Sequence, residues 1–419
     1  MKMLKFLSIR IILTSICCVL FWQCSPKPDT GNGTTDTTQV EVPKLNKVNF
    51  FLDASVSMRG YLNSSNFQAV VNDFLVKGND STNIWLASNT LTKFPGTKRD
   101  FMEGMLNVNL VKAKSSVMST IFESVSRKAD SNSISVLISD CILSMPNEMI
   151  KSDRNVNLIA KDGQLKSEVH DIFSKLKTKG NGAVLFAYYS NFNGTYWDYQ
   201  NTPTKSVKET RPFYIWMVGK NELLQEFSKK VYNELTKKPE QILEFGIYPT
   251  MFKYSIFKSL NKKEGWELVD QNIIEITDDE AVELTIGIDL KYLPKELQNV
   301  DSLKKRLLID TQNTAITKLI NVQIKEDYSK IEPLDQEAYS KSTHIITISI
   351  DKQSTGDTQL ILRLPARYSN WYQGWSNDSD ISPKDRDSTT FAFASLVTGV
   401  TEVFNDDFFN VKIPIKKNN

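Results

Sequence analysis

The spacing of apolar residues changes once along the chain, near residue 240, and this change limits the folds open to it. From about residue 46 to residue 236, short apolar runs alternate with segments whose apolar residues recur every three or four positions. Such a series is typical of a sheet of parallel strands with helices on both faces. Beyond residue 240 apolar and polar residues alternate singly, as in Val282–Leu290, which predicts half-buried antiparallel strands.

We therefore predict two domains. Residues 46–238 should form an α/β domain with a doubly wound, mostly parallel sheet. Residues 239–419 should form a β-rich domain, a sandwich of the immunoglobulin type, with one inserted helix at Phe393–Phe404. Pro414 lies in the last strand and favours an edge position for that strand, because proline cannot donate a backbone hydrogen bond.

The N-terminal residues have the layout of an export signal. Lys2, Lys5 and Arg10 precede the uncharged apolar stretch Ile11–Phe21, which is short for a membrane-spanning helix. Cys24 follows, and after it comes a polar tract rich in proline, glycine and threonine. A tract of this composition favours an unfolded tether.

This arrangement resembles the N-terminus of a bacterial lipoprotein. The resemblance implies a signal peptide over residues 1–23, lipidation at Cys24 and a flexible tether over residues 24–45. The protein would then be anchored by lipid in the bacterial cell envelope, at the outer membrane, facing the periplasm or the outside. An uncleaved membrane anchor is the alternative, and it would leave the same domains outside.

The charge balance and the cysteines exclude two classes of protein. The chain has 51 basic and 49 acidic residues and no block of lysine or arginine that could follow a phosphate backbone, so we expect no nucleic-acid partner. It has 4 cysteines, of which Cys17 and Cys18 lie in the apolar stretch. We therefore expect no disulfide framework.

Hard oxygen donors follow the first predicted strand. The apolar run Val48–Leu52 ends at Asp53, and Ser55 and Ser57 follow at alternate positions. Carboxylate and hydroxyl oxygens suit Mg²⁺ or Mn²⁺ better than zinc. This Asp-x-Ser-x-Ser motif resembles the first segment of the metal-ion-dependent adhesion site of von Willebrand factor type A (vWA) domains.

The resemblance implies further ligands from two later loops. The family supplies a threonine just before a helix, and Ser119 and Thr120 open a helical pattern here, so both remain candidates. It also supplies an aspartate at the end of the next strand, where this chain has Asp140 after an apolar run. Cys141 stands where the family usually has glycine. The implied cofactor is Mg²⁺, with Mn²⁺ or Ca²⁺ as alternatives.

The resemblance implies a binding function without catalysis. An acidic residue of an unidentified partner protein would complete the metal site. The first alternative is a metal-free vWA-like scaffold within an envelope complex. The second is a phosphatase like the haloacid dehalogenases, but that chemistry needs a second aspartate where Ser55 stands, so we do not expect an enzyme.

Two further features have ordinary structural interpretations. We expect the aromatic residues around Tyr196 and Trp371 to pack between the two domains or under long loops, although exposed aromatic rings can bind sugars or proteins. The acidic run Asn377–Asp380 lacks the ligand spacing of a calcium loop, and we expect a solvated turn there.

Overall fold

A computed structural model describes residues 44–417, with gaps at 79–80, 107–109, 114–116, 144–157, 249–252, 260–264, 271, 278–280, 312–315, 326–330 and 353–356. The predicted signal peptide, Cys24 and the tether up to residue 43 lie outside the described residues. Within the described part, no helix has the length and apolar character that crossing a membrane requires.

Seven strands form the largest sheet, in the order β3-β2-β1-β4-β6-β5-β7. In chain order they are β1 (Lys47–Asp53), β2 (Thr82–Ala87), β3 (Leu91–Lys93), β4 (Ser133–Ser139), β5 (Asn181–Trp197), β6 (Pro203–Lys220) and β7 (Gln241–Phe245). Strand β1 is parallel to its neighbours β2 and β4, whereas the other neighbours pair antiparallel. The protein is therefore mixed α/β, as predicted, but parallel pairing within this sheet is confined to β2, β1 and β4.

Strands β5 and β6 are antiparallel because a tight turn joins them, whereas a parallel pair needs a long crossover. Asp198 closes that turn, since its Oδ1 accepts hydrogen bonds from the backbone N–H groups of Gln200 and Thr202 at 2.9 and 2.8 Å. The last residue of β4, Ser139, pairs with Tyr214 of β6. The hairpin therefore continues past the end of β4, and we call residues 189–212 the hairpin arm.

Among the described residues of this part, the helices are α1 (Arg59–Leu62), α2 (Ser65–Lys77), α3 (Lys98–Met105), α4 (Met118–Ser126), α5 (Leu158–Thr178) and α6 (Asn221–Glu234). A 3₁₀ turn at Val56–Met58 precedes α1. The apolar face predicted for α2 is confirmed, since Phe67, Val70 and Phe74 are buried. Strands β1 and β4 are buried along nearly their whole length, which fits the continuous apolar runs of their sequences.

Two further sheets follow, with strand orders β12-β15-β18-β10-β9 and β13-β14-β11-β8, together with a short pair β16-β17. Their strands are β8 (Tyr254–Ile256), β9 (Trp266–Asp270), β10 (Ile273–Ile276), β11 (Val282–Ile288), β12 (Leu308–Thr311), β13 (Ile316–Ile324), β14 (His344–Lys352), β15 (Thr358–Pro365), β16 (Ser376–Asn377), β17 (Thr390–Phe391) and β18 (Asp407–Lys417). Alternate residues are buried as predicted, for example Leu360, Leu362 and Leu364. Side chains from both sheets belong to one apolar core, which continues into the α/β part.

The position predicted for the last strand was wrong. Strand β18 lies inside its sheet, between β15 and β10, rather than at an edge. Pro414 is accommodated there because the pairing with β10 covers Ile415 to Lys417 and begins directly after the proline. Its other neighbour, β15, places Gln359 opposite Pro414.

The later helices are α7 (Lys295–Gln298), α8 (Val300–Arg306), α9 (Gln336–Ser340), α10 (Trp371–Gly374), α11 (Pro383–Arg386) and α12 (Phe393–Val403). Helix α12, predicted as an insertion in the β-rich domain, packs on α5 of the α/β part, and its apolar residues share a core with that part. Contacts group residues from Pro43 onward into one compact unit. The domain boundary at residue 238 stays a prediction.

The crossing of α5 and α12 depends on the absence of a side chain at Gly399. A Cβ atom there would lie 2.6 Å from the backbone carbonyl oxygen of Lys166, closer than van der Waals contact allows. We expect Gly399→Ala to destabilise the protein by about 2 kcal/mol, because the two helices must move apart. Urea unfolding measures this change.

Gly163→Ala is the matched control on α5, where an added Cβ meets nothing within 4 Å. This change should stabilise the protein by about 0.5–1 kcal/mol, since alanine favours a helix over glycine. Equal effects of the two substitutions would contradict the close packing of α12 on α5.

Candidate metal centre

The carboxyl ends of two parallel neighbours bring the predicted acidic residues to one edge of the sheet. Strand β1 ends at Asp53 and β4 ends at Ser139, directly before Asp140, and Leu52 pairs with Ile138 one step earlier. Asp53 is 1% exposed and Asp140 is 2% exposed. Two carboxyl groups therefore lie in the protein interior, where an uncompensated charge is costly.

Asp53 organises the loop that follows it. Its Oδ1 accepts a hydrogen bond from the backbone N–H of Ser55 at 2.9 Å, and its Oδ2 accepts one from the Ser139 hydroxyl at 2.7 Å. The Ser55 and Ser57 hydroxyl oxygens lie 2.8 Å apart. The structure thus brings together Asp53, Ser55 and Ser57 and links them to the end of β4.

The two carboxylate oxygens of Asp140 differ in their contacts with the described residues. Its Oδ1 accepts a hydrogen bond from the backbone N–H of Ile142 at 3.3 Å, but its buried Oδ2 has no hydrogen-bond partner among the described residues. Buried polar atoms are rarely left in this state. An unpaired anionic oxygen beside two hydroxyl groups can accept a cation.

The pKa of Asp140 reflects the same environment. Burial, and after it the nearby charge of Asp53, raise this pKa from its ordinary value to about 7. The Ser57 hydroxyl is near enough to lower the pKa of Asp140, but it does not satisfy the free Oδ2. A bound cation would remove the repulsion between the two carboxylates.

Cys141 adopts the conformation for which glycine is the ordinary residue. Its φ angle is +54°, in the left-handed region that is unfavourable for residues with a side chain. This turn allows its backbone N–H to donate to the Ser139 hydroxyl at 2.9 Å. Glycine would adopt this conformation without strain.

The third-loop candidates lie in a turn that contacts the end of β4, and the structure does not choose between them. Ser119 and Thr120 are half-buried in the first turn of α4. The recorded contact between this turn and the centre is made by Met118, whose Sδ lies 3.7 Å from the Ser139 hydroxyl. The preceding segment joins the motif too, because Ala113 forms an isolated parallel bridge with Ser55.

The hairpin arm packs against the segment that follows Ser57. The Tyr61 hydroxyl donates to the carbonyl oxygen of Pro212 at 2.7 Å, and the hydroxyl oxygens of Ser64 and Ser190 lie 2.7 Å apart. A Cβ on Gly60 would lie 2.2 Å from the ring of Phe192, so the backbone of α1 touches the arm directly. The arm therefore covers one side of the centre.

A group of mostly buried side chains, four of them acidic or basic, connects the arm to the C-terminal segment. We call Tyr196, Glu209, Arg211, Asp380 and Arg386 the arginine cluster. The guanidinium carbons of Arg211 and Arg386 lie 4.2 and 4.7 Å from the centre of the Tyr196 ring. Glu209 accepts hydrogen bonds from both arginines at 3.3 Å.

The burial of Asp380 shows that one expectation from the sequence was wrong. The run Asn377–Asp380 was expected to be a solvated turn, but Asp380 is fully buried. Its carboxylate accepts hydrogen bonds from the Tyr196 hydroxyl and the Tyr199 backbone N–H.

The aromatic residues pack internally as expected: Tyr199 stacks on Phe391, and Trp375 stacks on Tyr189.

The donor set fits a hard cation better than zinc. No group of three or more histidine, cysteine, aspartate or glutamate side chains comes together among the described residues. The centre instead offers two carboxylates and at least two hydroxyls, which suit Mg²⁺ completed by water. The histidines are elsewhere, since His344 bonds to the carbonyl oxygen of Gln298 and His170 lies on α5.

Comparison with protein-family models, with curated proteins and with solved structures finds no match to this chain. The resemblance to vWA domains therefore depends on the motif residues described above.

The left-handed turn at Cys141 gives a direct stability test. Cys141→Val should destabilise the protein by about 2 kcal/mol or more, because a β-branched side chain is strained at positive φ. Cys141→Gly should stay within about 1 kcal/mol of the natural protein, since relief of strain offsets the loss of a small buried side chain. Urea unfolding of both variants checks this, and equal stability of the two would contradict the turn.

Proposed function

We propose that this chain is an envelope lipoprotein whose α/β part is a vWA-type domain that binds a partner protein through a divalent cation. The observation that carries the proposal is the buried Oδ2 of Asp140, which has no partner in the described structure and lies beside a second carboxylate and two hydroxyls. Mg²⁺ is the expected ion, with Mn²⁺ or Ca²⁺ as alternatives.

The strand order supports a doubly wound domain of this type. The order β3-β2-β1-β4 corresponds to the first four positions of the doubly wound order 3-2-1-4-5-6. In such sheets ligands bind at carboxyl ends where the order reverses, which is between the first and fourth strands. Asp53 follows β1 and Asp140 follows β4, so the candidate centre lies at this point.

The cation would be held by this chain's own oxygen atoms. Ser55, Ser57 and the free oxygen of Asp140 are the proposed direct ligands, and Asp53 supplies the second negative charge. Ser119 or Thr120 would complete the protein ligands, and water would fill the remaining positions that Mg²⁺ requires. The ion supplies a fixed positive charge to which a partner carboxylate can bind.

The charged residues beside the opening of the centre support an acidic partner. Ser57 is half-exposed, whereas Asp53, Ser55 and Asp140 are buried, so the centre opens past Ser57. Arg59 and Lys112 are the charged residues of the two adjacent segments, 56–63 and 110–113. The Nε of Arg59 donates to the carbonyl oxygen of Val111 at 3.0 Å, which holds this guanidinium beside the opening. Two basic groups there favour a carboxylate-bearing partner.

A second candidate function is a metal-free scaffold within an envelope complex. One observation favours it: the charge of buried Arg211 already acts on Asp140 and lowers its pKa, after burial and Asp53 have raised it. The protein could then hold the carboxylates without an ion. We do not propose catalysis, because Ser55 stands where a phosphatase would need its general acid.

Calorimetric titration with Mg²⁺ and Mn²⁺ separates the two candidates. The natural protein should bind one ion, and Asp53→Ala should abolish the heat signal by removing a buried charge of the centre. Ser57→Ala should weaken binding about tenfold, since a neutral ligand is lost while a half-exposed position leaves the fold intact. Circular dichroism verifies folding.

Asp130→Ala is the control, because Asp130 lies before β4 at the opposite edge of the sheet and pairs with exposed Lys47 at 2.9 Å. Its ion affinity should equal that of the natural protein. Absence of binding by the natural protein would support the metal-free scaffold. In a membrane pull-down, a chelator should release the partner only if the cation takes part.

A further inference from the structure

Arg211 is a buried arginine at the base of the hairpin arm, directly beside the candidate centre. Its side chain is 1% exposed. Its Nη1 donates to the carbonyl oxygen of Arg386 and its Nη2 to that of Thr389, both at 3.1 Å. Its Nε is buried and has no hydrogen-bond partner among the described residues. The Nε group of this guanidinium therefore forms no bond that holds the arm in place within the described structure.

The same short segment holds both Arg211 and Asp140. Thr389 accepts a hydrogen bond from Arg211, and the hydroxyl of the next residue, Thr390, donates to the backbone carbonyl of Asp140 at 3.4 Å. The Tyr214 hydroxyl fixes Thr390 in turn, at 3.1 Å. On the other side, Tyr61 bonds to the carbonyl of Pro212, the residue after Arg211. The guanidinium is thus held at a fixed place next to the centre.

The charges of the two residues act on each other. The hydrogen bonds through Thr389 and Thr390 bring the Arg211 guanidinium near the buried Asp140 residue. Burial by itself lowers the pKa of Arg211, yet the oxygen groups around it, Asp140 among them, raise it above its ordinary value. In an interior of low dielectric constant such an interaction is stronger than at the surface.

Carboxyl groups outnumber guanidinium groups in the centre and the arginine cluster. The centre and the arginine cluster contain four carboxylates, Asp53, Asp140, Glu209 and Asp380, against two guanidinium groups, Arg211 and Arg386. Glu209 pairs with both arginines. Arg211 therefore contacts Glu209 directly and is joined to Asp140 through Thr389 and Thr390.

We propose that Arg211 is a built-in counter-ion of the Asp53–Asp140 pair, a positioning residue that stabilises the centre without a cation and limits its affinity for one. Without an ion, the guanidinium reduces the repulsion between the carboxylates. With a divalent ion, the guanidinium repels it and weakens binding. The inference rests on the proposed function insofar as both concern the same centre.

Arg386 provides the matched control for a test. It is 2% exposed, lies over the same Tyr196 ring and bonds to the same Glu209, but it lies on α11 rather than on the hairpin arm. Arg211→Gln and Arg386→Gln thus remove equivalent buried charges from one cluster. A purely structural role predicts equal effects of the two substitutions on ion affinity.

Calorimetric titration with Mg²⁺ and thermal unfolding with and without a chelator measure the difference. Arg211→Gln should bind Mg²⁺ at least about tenfold more tightly than the natural protein, because the repelling charge is gone. Its melting temperature in chelator should fall, and Mg²⁺ should restore it. Arg386→Gln should keep the natural affinity, and Arg211→Lys should stay close to it because the charge is retained.

A milder variant keeps the test informative if Arg211→Gln does not fold. Glu209→Gln removes a carboxylate that shares the Arg211 charge, at a position 17% exposed. The net charge near Asp140 is then more positive, so Mg²⁺ binding should weaken several-fold. Tighter or unchanged binding by this variant would overturn the inference.

The outcomes separate this inference from the proposed function. Equal Mg²⁺ affinity of the natural protein, Arg211→Gln and Arg386→Gln overturns the inference and leaves the proposed function standing. Binding by Arg211→Gln alone supports the inference and overturns metal-assisted binding, because Arg211 has then replaced the ion. Absence of binding in all variants, or weaker binding by Arg211→Gln, overturns the inference.

Discussion

The parallel pairing of β1 with β4 is the constraint on which the rest of the centre depends. It places the ends of two fully buried strands next to each other, so that Asp53 and Asp140 emerge at one edge with little access to solvent. Two like charges in that position repel each other and need compensation. The serine hydroxyls, the left-handed turn at Cys141, the neighbouring arginine and the proposed cation are different responses to this single electrostatic problem.

The centre is enclosed by parts of the chain that are distant in sequence. The hairpin arm contacts α1 through Tyr61 and Gly60, and the segment around Thr390 reaches the backbone of Asp140. Because these contacts join residues far apart in sequence, the geometry of the centre depends on the folding of the C-terminal region. The side near Ser57, Arg59 and Lys112 is more exposed than the rest of the centre.

The sequence predicted the residues whose local pattern determines their position. Asp53 and Asp140 each end an apolar run, and parallel strands place such ends together, so their meeting was predictable. The alternating residues of β11 and β15 predicted antiparallel strands for the same reason. Arg211, Arg386 and Asp380 had no comparable signal, since their burial depends on tertiary contacts between the arm and the C-terminal segment. The antiparallel insertion of β6 was missed because buried strands of either direction have similar apolar runs.

Anomalous X-ray diffraction from crystals grown with Mn²⁺ tests the central claim most directly. The account predicts one peak at the edge of β1 and β4, about 2.0–2.2 Å from Oδ2 of Asp140, with hydroxyl oxygens of the Asp-x-Ser-x-Ser motif in its coordination sphere. An empty position there at saturating Mn²⁺, with Oδ2 of Asp140 turned to a protein donor instead, would contradict it.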